Sequence, residues 1–102
     1  HEVYKLETKL VNLLDVARGI AGMPFVITSG YRSRAYNAQV GGATNSAHLR
    51  GLAADIRCRN SAERHKIVHA AVKAGFTRIG IGDSFVHLDV DTSLLQNTMW
   101  TY

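Results

Sequence analysis

The chain has 102 residues, 46% of them hydrophobic, with a single cysteine and a formal net charge of +4. That length suits one compact domain, residues 1–102, with its own core. Lone Cys58 excludes an internal disulfide framework and a thiolate metal site, and no apolar run approaches the roughly 20 residues of a membrane span. The positive charge favours polyanionic partners such as nucleic acid, anionic lipid or bacterial cell wall, but the basic residues are scattered, as at Arg32, Arg50, Arg64 and Arg78, rather than massed as in a nucleic-acid tail.

The amino end, His1-Glu2-Val3-Tyr4-Lys5, lacks the layout of a secretion signal, so an export signal is expected to be absent or already removed. From Val3 to Ile20, apolar residues recur at three- and four-residue steps and predict an amphipathic helix, with Gly19 and Gly22 at its end. Phe25-Val26-Ile27-Thr28 reads as a short strand closing in Ser29-Gly30. Residues 33–45, with Asn37, Gly41, Gly42, Thr44 and Asn45, predict a helical turn and an irregular loop. Leu52 to Arg57 suits a buried strand with Ala53 and Asp55 on one face. Asn60 with Glu63 is a capping-box pattern that opens a helix over 61–74, ended by Gly75. Thr77–Ile81 and Phe85–Val90 read as a hairpin joined by Gly82-Asp83-Ser84. Thr92 to Tyr102 has no clear period, although Leu94, Leu95, Met99 and Trp100 are apolar enough to pack back on the sheet.

Ser46 to Asp55 carries the strongest chemical signal. It places His48 and Asp55 seven residues apart, with Gly51 between them, in an otherwise apolar segment. His87 alternates with hydrophobes in Phe85-Val86-His87-Leu88-Asp89. Taken singly, each reads as a capping, turn or cross-strand polar residue. Together they form a set of two imidazoles and one carboxylate, which suits a zinc ion with one position left for water. A buried carboxylate in an apolar strand requires a partner, and a cation would satisfy Asp55.

The competing pair His65 and His69 would share one helix face, but Lys66 stands where the zincin pattern requires glutamate. Its positive neighbours oppose a cation, so both are expected to be solvated helix histidines. Arg32, at the exit of a strand and turn, has a planar fork able to hold a substrate carboxylate; a surface arginine stacked on Tyr31 or Tyr36 is the plainer alternative. Ser46 is either a substrate-facing hydroxyl or a turn residue. Asp89, two residues after His87, points the same way along a strand and is the first choice of general base, with orientation of a ligand histidine as its other role. Asp83 in the preceding turn is the second choice of base.

The residues Ser29-Gly30-Tyr31-Arg32-Ser33, Asn37, Gly41-Gly42, Ser46-x-His48-x-x-Gly51-x-Ala53-x-Asp55 and Phe85-Val86-His87-x-Asp89 resemble the zinc D-alanyl-D-alanine carboxypeptidase family. That family also contains bacteriophage L-alanyl-D-glutamate endopeptidases and a murein endopeptidase branch, and the likeness runs from about residue 25 to 90. It implies a small α+β domain with an antiparallel sheet and two main helices packed on it. It also implies Zn2+ held by His48, Asp55 and His87, and Arg32 at a substrate-binding arginine. Many members carry an acidic catalytic residue three places before the last zinc histidine; here that place is Ser84, with Asp83 one step earlier. The His87-x-Asp89 ending looks more like the murein endopeptidase branch.

The expected function is therefore zinc-dependent hydrolysis of an amide bond in peptidoglycan stem peptides, with peptidoglycan peptides as partner, no nucleic acid, no membrane span and a monomeric chain. The expected setting is the cell wall, periplasm or extracellular space, as a phage lysin, a virion-associated enzyme or one domain of a longer protein. The alternative is a zinc-stabilised domain that binds wall peptides or a protein without hydrolysis.

Overall fold

The computed structural model describes residues 6–29 and 51–102. Within them helix α1 (Thr8–Ala21) is followed by strands β1 (Ile27–Ser29) and β2 (Ala53–Arg57), helix α2 (Ser61–Ala74) and strands β3 (Arg78–Ile81), β4 (Phe85–Asp89) and β5 (Thr98–Thr101). The five strands form one sheet in the order β1-β2-β4-β3-β5.

Local chemistry explains the helix limits. α2 starts where the Asn60 side chain accepts the Glu63 backbone N–H at 2.9 Å, and it stops at Gly75, whose positive φ of 112° a residue with a side chain adopts only at a cost. The expected capping box is displaced by one residue: the Glu63 carboxylate reaches back to the backbone N–H of Arg59, at 2.9 Å, and also pairs with its guanidinium. α1 begins at Thr8, inside the Val3–Ile20 stretch that the periodicity predicts. At residue 7 the backbone is extended and its N–H donates to Gly51 O at 2.9 Å, which draws the chain away from helical geometry.

Period-two alternation decides which face of the sheet each residue takes. Ala54 and Ile56 of β2, Val86 and Leu88 of β4 and Ile79 of β3 turn to one side, where they meet Leu10, Leu14 and Ala17 of α1 and Ile67, Ala70 and Ala71 of α2. The two helices also pack on one another. This is the α+β architecture of two helices on a sheet, with the core between the layers.

One pairing departs from the all-antiparallel expectation. β5 runs parallel to β3, in the register Arg78↔Thr98 through Ile81↔Thr101. The stretch without a sequence period is thus an edge strand, its alternation only half expressed because it is partly exposed on both faces. No helix among the described residues is long and apolar enough to cross a membrane.

Candidate metal and catalytic site

The sheet face away from the helices carries the polar residues, and the register lines them up. Asp55 pairs with His87, His87 with Gly80, and Gly80 with Trp100, making one row across β2, β4, β3 and β5. The adjoining row is Ala53, Asp89, Arg78 and Thr98. Four strands from distant parts of the sequence therefore place a histidine, two carboxylates, an arginine and an indole within reach of one another.

His87 stands between the two carboxylates. Its Nδ1 lies 3.1 Å from Asp55 Oδ1 and its Nε2 lies 2.7 Å from Asp89 Oδ2. Asp89 is 1% exposed, and its other oxygen accepts from Arg78 Nε at 2.8 Å and from the Asp91 backbone N–H at 3.2 Å. The Trp100 ring lies 5.4 Å from the His87 ring and takes the Arg78 guanidinium over its face at 4.8 Å. Gly80 makes room for that indole: a Cβ at residue 80 would stand 2.7 Å from Trp100 Nε1.

Burial of the His87 ring disfavours its charged form, yet hydrogen bonds to Asp55 and Asp89 and the charges of both carboxylates outweigh it, so the pKa is raised above 6.5. A raised folded value means stability that is fully present below the unfolded pKa and lost as pH rises through the folded one. In chelator-treated protein, the thermal midpoint should therefore fall as pH climbs above 6.5 through the His87 transition, and His87→Gln should remove that slope. An unchanged slope in the variant would show that the ring is not held as an imidazolium.

Asp55 Oδ1 and His87 Nδ1 also meet the demand a metal would make. Two donors bound at about 2.1 Å in a tetrahedron stand about 3.4 Å apart, close to the 3.1 Å between these atoms. Imidazole nitrogen and carboxylate oxygen both suit Zn2+. No group of three His, Cys, Asp or Glu able to hold a metal occurs among the described residues. The remaining predicted ligand, His48, and the predicted substrate residues Arg32 and Ser46 lie outside them.

Asp83 is exposed in the hairpin turn, where its carbonyl accepts from Arg64 Nη2 at 3.0 Å. His65 and His69 are exposed on α2, on the other side of the sheet, their rings stacked at 6.0 Å. Neither histidine meets the Asp55–His87 pair. Sequence reasoning missed Arg78 and Trp100. Arg78 could have been found by counting the hairpin register, since pairing Ile81 with Val86 brings Arg78 opposite Asp89, an opposite-charge cross-strand pair.

No curated protein matches the chain. The family model described as Peptidase M15 matches residues 3–89, which take in Asp55, His87 and Asp89 and all but the last strand of the sheet, and the chain belongs to that family.

Proposed function

We propose that this chain is a zinc-dependent peptidase that hydrolyses an amide bond in peptidoglycan stem peptides, nearest to the murein endopeptidase branch. The observation that carries the reading is the juxtaposition of Asp55 and His87, donors 3.1 Å apart on one sheet face, within residues matched by a peptidase family. Asp55 and His87 supply two ligands, and His48, in the matching motif position, supplies the third. When bound, the ion acidifies a water and polarises the scissile carbonyl.

The chain's own residues do the rest. Asp89, buried and bonded through both oxygens, holds His87 in place and keeps a proton on Nε2, so that Nδ1 offers its lone pair beside Asp55. This gives Asp89 the orienting role in place of the base. Proton transfer then falls to a carboxylate open to substrate, and Asp83, exposed in the turn, takes that part. Arg32 anchors a peptide carboxylate through its fork and Ser46 offers a hydroxyl to the substrate. The substrate puts the activity at a bacterial wall, in the periplasm or outside the cell, as for a phage lysin acting as a monomer. The net charge of +4 favours that anionic polymer.

Digestion of purified muropeptides with zinc, and again with chelator, tests the reading. Products differing in mass by one hydrolysed amide, lost with chelator and restored by zinc, are expected, and their masses identify the bond. Persistence of intact peptides at high protein concentration with zinc present would overturn it in favour of a non-hydrolytic binding domain.

A further inference from the structure

We infer that Arg78 is the positioning residue of the site: acting through Asp89, it fixes which nitrogen of His87 carries the proton, and the segment after residue 89 holds Arg78 in place to do so. The inference rests on the reading of Asp55 and His87 as metal ligands.

Arg78 sits directly across from Asp89 on β3, its side chain 12% exposed. Three contacts over-determine its orientation. Nε donates to Asp89 Oδ1 at 2.8 Å, Nη1 donates to Leu95 O at 2.7 Å, and the guanidinium plane lies over Trp100 at 4.8 Å. The fork thus spends different N–H groups on the carboxylate and on the backbone of the segment leading to β5, a division that a lysine point charge cannot reproduce.

With Oδ1 taken by Arg78 and the Asp91 backbone N–H, Asp89 turns Oδ2 to His87 Nε2 at 2.7 Å. This contact is shorter than the one from Nδ1 to Asp55, 3.1 Å, and its acceptor is backed by a guanidinium. When the ring is neutral its single proton therefore stays on Nε2. Nδ1 is left as an acceptor on the Asp55 side, the form a metal requires.

The structural supports of Arg78, Leu95 and Trp100, both lie beyond residue 89, where the family match ends. β5 is in this sense a working part of the site. The absence of a side chain at residue 80 is what lets Trp100 close over it.

The test compares Arg78→Lys and Arg78→Gln with the parent chain by two readouts. One is the ring 15N signals of His87 in metal-free protein, recorded at alkaline pH where the ring is neutral. The other is zinc affinity by competition with a chromophoric chelator. The parent should show a protonated Nε2 and an unprotonated Nδ1. Arg78→Gln should mix the two tautomers and weaken zinc about 10- to 100-fold, the usual loss when the partner of a ligand histidine is disturbed.

Arg78→Lys, which keeps the counter-charge of Asp89 and is therefore expected to fold, should recover part of both. It decides the matter alone if the glutamine variant does not fold. If every folded variant keeps the parental ring signals and zinc affinity within about twofold, below that usual range, Arg78 is structural only and the inference is wrong. Failure of the parent to bind zinc would overturn the peptidase reading instead, while the ring signals would still report on Arg78.

Discussion

Replacing His87 with alanine is expected to abolish zinc binding and muropeptide hydrolysis together. The residue is the centre of the polar row, with Asp55 on one side and Gly80 on the other, and its Nδ1 is one of two donors that can meet at a common ion. Losing the orienting partner of a ligand histidine costs about 10- to 100-fold in metal affinity; losing the ligand itself should cost more. A metal's stabilisation of developing charge amounts to several kcal/mol, so kcat/KM should fall about a thousandfold or further. Metal content after dialysis and product formation by mass spectrometry measure the two losses. A double His65→Ala, His69→Ala chain is the control: those rings are exposed on α2 and approach no carboxylate of the site, so its zinc content and rate should match the parent. Parental zinc and turnover in His87→Ala would remove His87 from the metal site.

Much of the scaffold was legible because it is written locally. Asn60 and Gly75 bound α2 where their capping chemistry places them, and the alternation through Phe85–Asp89 separates the apolar Val86 and Leu88 from the polar His87 and Asp89. The pairing of Asp55 with His87 was also implied, since both residues fall on the polar side of a strand. What alternation could not supply was the order of the strands. β5 is defined by a parallel pairing to β3 across the sheet edge, a non-local contact with no period of its own. Trp100 becomes part of the site only through that pairing, whereas Arg78 reaches Asp89 through the β3–β4 hairpin.

The carboxylate assignment turned on a similar point. Sequence spacing puts Asp89 beside His87 but does not distinguish a base open to water from a buried acceptor. What the neighbouring strand adds is Arg78, which occupies the other Asp89 oxygen, and the proposed orienting role rests on that contact.

Asp89→Asn separates the two roles. An amide offers one acceptor oxygen and a two-proton donor, whereas Asp89 now accepts from Arg78 on one side and faces His87 Nε2 on the other. If the amide oxygen stays with Arg78, its NH2 confronts Nε2, and the ring must shift its proton to Nδ1 on the Asp55 side, where it blocks the metal lone pair. If the amide turns the other way, its NH2 confronts the guanidinium. Either arrangement also strips the counter-charge from an arginine whose side chain is 12% exposed, and breaking such a pair costs about 3–5 kcal/mol. The variant should therefore unfold at lower denaturant and bind zinc about 10- to 100-fold more weakly. At saturating zinc, the folded fraction should recover turnover to within about tenfold of the parent, because an orienting residue acts by filling and aligning the metal site. A general base behaves otherwise: its loss leaves zinc affinity intact and turnover depressed by about 100- to 10,000-fold, however much zinc is added. Unchanged zinc affinity with unrecoverable turnover in Asp89→Asn would return Asp89 to the base position, whereas recovery by zinc directs the search for the base to Asp83, where Asp83→Asn should then lose turnover without losing metal.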